Sequence, residues 1–196
     1  MRLKREIGIF SGSFNPIHNG HLMIANYMYE FTYLQEVWLV VTPHNPLKST
    51  KEMLDEQARL KMAQLATEKY QNIKISDVEL KMPKPSYTIN TLEKLTADHP
   101  DCNFTLIIGG DNWTSFDKWK NYKKILENYK ILIYPRQGED ILIPELLKET
   151  VTLTNAPVVE ISSTFIRESL KRGNDMRAFI PPEVYEFIEK EKLYKE

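Results

Sequence analysis

Two histidines three residues apart, His18 and His21, lie in the stretch Ser11-Gly12-Ser13-Phe14-Asn15-Pro16-Ile17-His18-Asn19-Gly20-His21. The stretch follows the apolar run Ile7-Gly8-Ile9-Phe10, so it reads as a strand, a glycine-containing turn and the start of a helix. Turns of that kind are where α/β proteins commonly receive phosphate. A spacing of three puts both imidazoles on one face of the first helical turn, beside unsatisfied backbone N–H groups and the partial positive charge of the helix end. The expected guest is a nucleoside triphosphate. Gly12 permits a tight bend after the strand and Pro16 fixes the turn, while Gly20 is expected to let a base or phosphate approach the helix without meeting a Cβ.

Residues 160–167 read Glu-Ile-Ser-Ser-Thr-Phe-Ile-Arg. Ser162, Ser163 and Thr164 before a helical run could act as no more than an N-cap. Arg167, however, stands one turn beyond Ser163 on the same face, so a phosphate at this helix end could receive hydroxyl, backbone and guanidinium bonds together. A third segment, Ile107-Ile108-Gly109-Gly110-Asp111, is followed eight residues later by Trp119.

The elements that must carry these segments alternate along the chain. Val37-Trp38-Leu39-Val40-Val41, ended by Pro43, reads as a buried parallel strand. Before it Leu22, Ile24, Ala25, Met28 and Phe31 recur at helical spacing over about three turns. Asp55 offers an N-cap to a helix carrying Ala58, Leu60, Met62, Leu65 and Ala66; Ile73 and Ile75 make a short strand; a helix is expected around Thr91, Leu92 and Leu95. Residues 104–108 and 130–134 are further strands, Val158-Val159-Glu160-Ile161 is expected to be the last, and a helical period runs from Pro181 through Val184, Phe187 and Ile188. This alternation predicts an α/β fold, a Rossmann-like doubly wound parallel sheet with helices on both faces. Ligands of such sheets bind outside the carboxyl ends of the strands, so the three chemistry-bearing loops can meet at one edge.

Bulk composition narrows the classes. A chain of 196 residues with 42% apolar and 27% charged residues suits one soluble domain, residues 1–196, with the helical part at about 163–194 packed on it. Balanced charges, 26 basic against 27 acidic, give no field for a nucleic-acid polymer. Cys102 is the single cysteine, which excludes an internal disulfide and suits a reducing, cytoplasmic setting. The basic start leads only into residues 7–10, so neither a signal peptide nor a membrane span is expected. Association into a homo-oligomer is left open.

Residues 18–21 resemble the HxGH signature of the nucleotidyltransferase superfamily of adenylyl- and cytidylyltransferases, and residues 161–167 resemble the ISSTxxR motif that closes its triphosphate site. Within it, Gly109, Asp111 and Trp119 resemble the GxD…W pattern of nicotinate-nucleotide adenylyltransferases, and Pro85-Ser86-Tyr87-Thr88-Ile89-Asn90-Thr91-Leu92 resembles that family's SYT(I/T)DTL segment. Residues 134–138 resemble its RPG turn, with Gln137 where proline is common, and residues 176–188 its C-terminal helix, so the resemblance runs from about residue 5 to residue 194. Ser11 stands where the family often has glycine and Asn15 where aspartate is usual. The loop 43–48 aligns with the family's PPHK segment but has Leu47 at the histidine, leaving Lys48 as the cation for substrate phosphate.

The resemblance implies AMP transfer from ATP to nicotinate mononucleotide, giving deamido-NAD and pyrophosphate. His18, His21 and Arg167, as positioned cationic and N–H donors, would stabilise charge on the phosphates, which needs no nucleophile from the protein. Ser11, Gly12, Ser13, Phe14, Gly20, Ser162, Ser163, Thr164 and Arg136 would bind ATP. Lys48, Tyr87, Thr88, Gly109, Asp111 and Trp119 would bind the mononucleotide, Trp119 stacking on the pyridine with Tyr122 in support. Mg²⁺ would be carried by ATP and water rather than by a protein cluster; Asp111 would contact ribose or order the metal's waters. The rival readings are an adenylyltransferase or cytidylyltransferase acting on another phosphate acceptor, such as nicotinamide mononucleotide or phosphopantetheine, and a non-catalytic nucleotide sensor. HxGH also resembles the HIGH segment of class I aminoacyl-tRNA synthetases, but the chain has no evident anticodon module.

Overall fold

A computed structural model describes residues 3–43 and 53–194 of the chain. Its strands are β1 (Arg5–Gly12), β2 (Glu36–Val41), β3 (Ile73–Ser76), β4 (Cys102–Gly109), β5 (Lys130–Tyr134) and β6 (Val151–Leu153). Between and after them run α1 (Asn19–Phe31), α2 (Glu56–Thr67), α3 (Thr88–Asp98), the single turn α4 (Gly110–Trp113), α5 (Tyr122–Asn128), α6 (Ser163–Lys171) and α7 (Pro182–Lys190). The strands form one parallel sheet in the order β3-β2-β1-β4-β5-β6. The chain winds outward from β1 through β2 and β3, then crosses to β4 on the other side of β1. That reversal between β1 and β4 is the crevice where doubly wound sheets take their ligands.

Period-2 alternation in the strands builds a core on each face. Leu39, Ile107 and Leu132 pack with Met28 of α1, Met62 of α2 and Ile188 of α7. Ile9, Leu106 and Ile133 face the opposite way and pack with Leu92 of α3 and Ile125 of α5. Each such side chain, removed from water, contributes about 1.5–3 kcal/mol. Asp55 caps α2 as its type predicts, accepting from the backbone N–H groups of Gln57 and Ala58 at 2.9 and 3.0 Å.

Two local expectations are corrected. Residues 158–161 are not the last strand; the sixth strand is Val151–Leu153. Its pairing is fixed by the Ile131 N–H donating to Thr150 O and the Thr154 N–H donating to Ile133 O, both at 2.8 Å. Pro157 then offers no N–H to a ladder, Val158 is half exposed, and the segment crosses the carboxyl edge of the sheet toward α6. Phe31, at the helical spacing of α1, is 71% exposed and stacks on Tyr27 at the solvent end of the helix instead of entering the core.

Candidate active site

The first signature turn joins β1 to α1 at the switch point. Phe14 takes a positive φ of 45° there, and its ring is buried against the place where a Gly12 side chain would be: a Cβ on Gly12 would sit 2.9 Å from the ring. Gly12 is thus required by Phe14 rather than by its own dihedrals. The Phe14 ring stands edge-on to His21 at 5.0 Å, so its side chain packs against a histidine of the signature.

His18 and His21 come together, their rings stacked at 3.6 Å and 25°. His21 Nδ1 accepts the backbone N–H of His18 at 3.2 Å, which leaves a neutral His21 ring its proton on Nε2, as a donor. His18 is 3% exposed, and its Nδ1 has no hydrogen-bond partner among the described residues. Burial, reinforced by the charge of Arg136, lowers its pKa from 6.5 to about 3. The expectation of a cationic His18 is therefore corrected for the free protein: at neutral pH it is an uncharged ring with an unpartnered nitrogen. Gly20 is corrected in the same way. A Cβ there would lie 3.0 Å from His18 Nδ1 and 3.1 Å from a Val159 methyl, so the space above Gly20 is taken by His18 and not left open to a base.

The two signatures meet directly. Ser163 Oγ donates to Pro16 O at 2.9 Å, and Arg167 Nη1 donates to Asn15 O at 3.0 Å. Arg167 Nη2 also reaches Thr164 Oγ1 at 3.4 Å, and Ser162 caps α6 by accepting the Phe165 N–H at 3.1 Å. Several of the expected phosphate ligands thus hold the turn as well. Ser13 contributes its carbonyl to Arg59 Nη1 at 2.5 Å, and Arg59 also binds Thr42 O and Leu54 O.

Arg136 sits between the two sides of the crevice. Its Nε lies 3.6 Å from Asp111 Oδ1, its Nη1 donates to Val159 O at 3.4 Å, and its Nη2 reaches the Tyr134 hydroxyl at 3.4 Å. Gly109 ends β4 where a Cβ would lie 2.4 Å from Asp111 Oδ1 and 3.0 Å from the Tyr134 ring. The absence of a side chain lets the Asp111–Arg136 pair close over the strand end.

On the α3 side, Tyr87 is the N-cap residue and Thr88 the first residue of α3. Neither Ser86 nor Thr88 caps the helix; Ser86 Oγ donates to Glu79 Oε2 at 2.8 Å. Trp119 is half-buried, 5.2 Å from the Phe116 ring, which Tyr122 also meets at 6.3 Å. The adjacent Lys120 places its ammonium 4.2 Å over the Tyr87 ring, which brings the Tyr87 and Trp119 segments together. Ser11 turns toward this side too, its hydroxyl 3.4 Å from Glu79 Oε1, and not toward the phosphate turn. Lys48, with Leu47 beside it, lies outside the described residues.

Three supporting residues were not legible as functional in the sequence. Arg59 is fully buried with Met62, Ala63 and Ala66, and a charge at that spacing on an apolar helix face is the signal that could have found it. Asn15 Oδ1 accepts the Tyr194 hydroxyl at 2.7 Å, tying the end of the chain to the first turn. Glu79 is buried on the α3 face; in sequence it reads as an ordinary loop carboxylate.

A parallel sheet with its switch point at the HxGH turn, and with a hydroxyl-rich helix end docked on that turn, defines a nucleotidyltransferase-type site. Residues 9–169 match the cytidylyltransferase-like family model. The chain is 50% identical to the protein named probable nicotinate-nucleotide adenylyltransferase in Flavobacterium johnsoniae, over 97% of this chain and 99% of that one. It is 49% identical to the protein of the same name in Bacteroides fragilis, over 94% and 92%. A solved structure, Plasmodium falciparum nicotinic acid mononucleotide adenylyltransferase complexed with NaAD, shares the fold with a TM-score of 0.79 at 23% identity, covering 97% of each chain. The chain belongs to the nicotinate-nucleotide adenylyltransferase family.

Proposed function

We propose that the chain transfers AMP from ATP to nicotinate mononucleotide, releasing pyrophosphate and forming deamido-NAD. A 5′-phosphate oxygen of the mononucleotide attacks the α-phosphorus in line; the bond from that phosphorus to the oxygen bridging to the β-phosphate breaks, and pyrophosphate leaves with the electron pair. The observation that carries this reading is the docking of Ser163 and Arg167 on Pro16 and Asn15, which sets two phosphate-binding helix ends side by side at the switch point.

His18 and His21 act on the triphosphate as positioned hydrogen-bond donors. A neutral imidazole in a water-poor site needs no reorganisation as charge builds on phosphoryl oxygens, and a phosphate beside it raises its proton affinity. Arg167 and Arg136 supply the fixed positive charge. Tyr87, Thr88 and Trp119 line the pyridine side, with Asp111 and Gly109 between the two substrates. No group of three histidine, cysteine or carboxylate side chains suited to a metal ion occurs among the described residues. Mg²⁺ bound to the triphosphate would supply charge neutralisation there, with Asp111 the nearby carboxylate able to hold its waters. No helix among the described residues is long and apolar enough to cross a membrane. We read residues 1–196 as one domain acting in the cytoplasm, a setting that the free thiol of Cys102 suits.

The test is pyrophosphate release from Mg-ATP with a panel of acceptors. Release only on adding a pyridine mononucleotide supports the proposal. Release with phosphopantetheine instead, or ATP binding without turnover on any acceptor, would replace it.

A further inference from the structure

Glu79 is 3% exposed in the 3-10 turn Val78–Lys81, between β3 and α3. No lysine, arginine or histidine pairs with it among the described residues. Three hydroxyls do: Ser11 at 3.4 Å and Thr91 at 3.0 Å on Oε1, and Ser86 at 2.8 Å on Oε2. These donors come from three different pieces of chain. Ser11 is the penultimate residue of β1, one before Gly12; Ser86 immediately precedes Tyr87; Thr91 lies in the first turn of α3 and is fully buried.

Burying a carboxyl group is costly, and a leucine would fill a buried place without that cost. Burial pushes the Glu79 carboxyl up, while the three hydroxyl bonds work against that rise by favouring its ionised form. What the carboxylate provides and an apolar side chain would not is a fixed distance between the end of β1 and the entrance of α3. Oε2 binds the segment that leads into Tyr87 and Thr88, while Oε1 is shared between Thr91 of α3 and the strand end that leads into the phosphate turn, so one carboxylate spans both walls.

We propose that Glu79 is a positioning residue for the acceptor substrate, holding the Tyr87–Thr88 wall in register with the β1 end that presents ATP. The proposal rests on the reading of Tyr87 and Thr88 as the pyridine side of the site. Glu79 touches neither substrate; it sets where one of them can bind relative to the other. Displacing that wall by an ångström moves the mononucleotide out of line, and misplacements of that size are worth up to about 10²-fold in rate.

The test compares Glu79→Asp, Glu79→Gln and Ser86→Ala in the full chain, measuring KM for nicotinate mononucleotide, KM for ATP, kcat and melting temperature. Glu79→Asp is shorter by one methylene and cannot reach both walls; its KM for the mononucleotide should rise about tenfold or more, with KM for ATP within about threefold of the parent. Glu79→Gln keeps the length and one carbonyl acceptor, and should stay within about threefold in both. Ser86→Ala removes one of the two bonds from Glu79 to the Tyr87 wall, leaving that from Thr91, and should shift the mononucleotide KM the same way, by a smaller factor; it decides the question if Glu79→Asp does not fold. Equal changes in both KM values, a Glu79→Gln defect as large as that of Glu79→Asp, or unchanged KM values in folded variants would each overturn the proposal. Lack of parent turnover with nicotinate mononucleotide would overturn the reading of the site and this inference with it, whereas parent turnover with unselective variants overturns the inference alone.

Discussion

A neutral, buried His18 makes the free protein sensitive to mild acid in a way that a single substitution should remove. The ring titrates near 6.5 when the chain is unfolded and at about 3 when folded, because burial and the charge of Arg136 both oppose protonation. With the folded value below the unfolded one, this stability is complete above about pH 6.5 and is lost as the pH falls toward 3. At about pH 5 the unfolded chain has taken up a proton that the folded chain refuses. The gap of about 1.5 pH units, at about 1.4 kcal/mol per unit, comes to about 2 kcal/mol. That figure holds for any folded value below about 4, so it does not depend on the depth of the shift. Urea unfolding of the parent and of His18→Asn at about pH 7.5 and about pH 5 isolates the effect, since the carboxylates titrate alike in both proteins. The parent should lose about 2 kcal/mol more than the variant over that interval. Equal losses, or a His18 ring resonance in the folded protein with a midpoint near 6.5, would refute the argument.

Arg167→Ala removes a guanidinium that holds Asn15 O and that the proposed reaction sets against the phosphates; kcat should fall about 10²-fold, and a rate within twofold of the parent would remove Arg167 from the chemistry. Trp119→Ala should raise KM for the pyridine mononucleotide far more than KM for ATP, and equal rises would take this ring out of the acceptor pocket. Gly20→Ala puts a methyl 3.0 Å from His18 Nδ1 and 3.1 Å from Val159, forcing the imidazole aside by a few tenths of an ångström. A fall in kcat of about tenfold with an unchanged melting temperature is expected, because the alanine also gains helix propensity. Full activity would show that the position of His18 is not critical.

Much of the fold was readable because its inner strands are continuous apolar runs with hard stops: Val37 to Val41 before Pro43, and Ile131 to Tyr134 before Pro135. β6 was not readable because it is three residues long at a sheet edge, with Thr152 and Leu153 exposed, so no pattern builds up. Residues 158–161 carry better strand composition, yet backbone hydrogen bonds to β5 fall earlier, at Thr150 and Thr154. Local propensity cannot say which of two candidate segments the neighbouring strand will pair with.

For the site, the residue types named the chemistry but not the division of labour. His18 next to His21 reads as two cations; only the packing of Phe14, Val159 and Arg136 around them shows that His18 is uncharged. Gly20 likewise reads as room for a ligand, and the structure gives that room to His18. Arg59 and Glu79 are not legible in the sequence because each reaches a group far away along it, Ser13 O for Arg59 and the Ser11 hydroxyl for Glu79, and no local motif records such partners.

AMP transfer to the pyridine acid mononucleotide at the β1–β4 crevice is tested by initial rates with nicotinate and nicotinamide mononucleotides under identical Mg-ATP, with the product identified. The expected result is deamido-NAD and pyrophosphate in equal amounts, with kcat/KM higher for the acid than for the amide. Equal rates for the two, a faster amide, or pyrophosphate released without dinucleotide would contradict it.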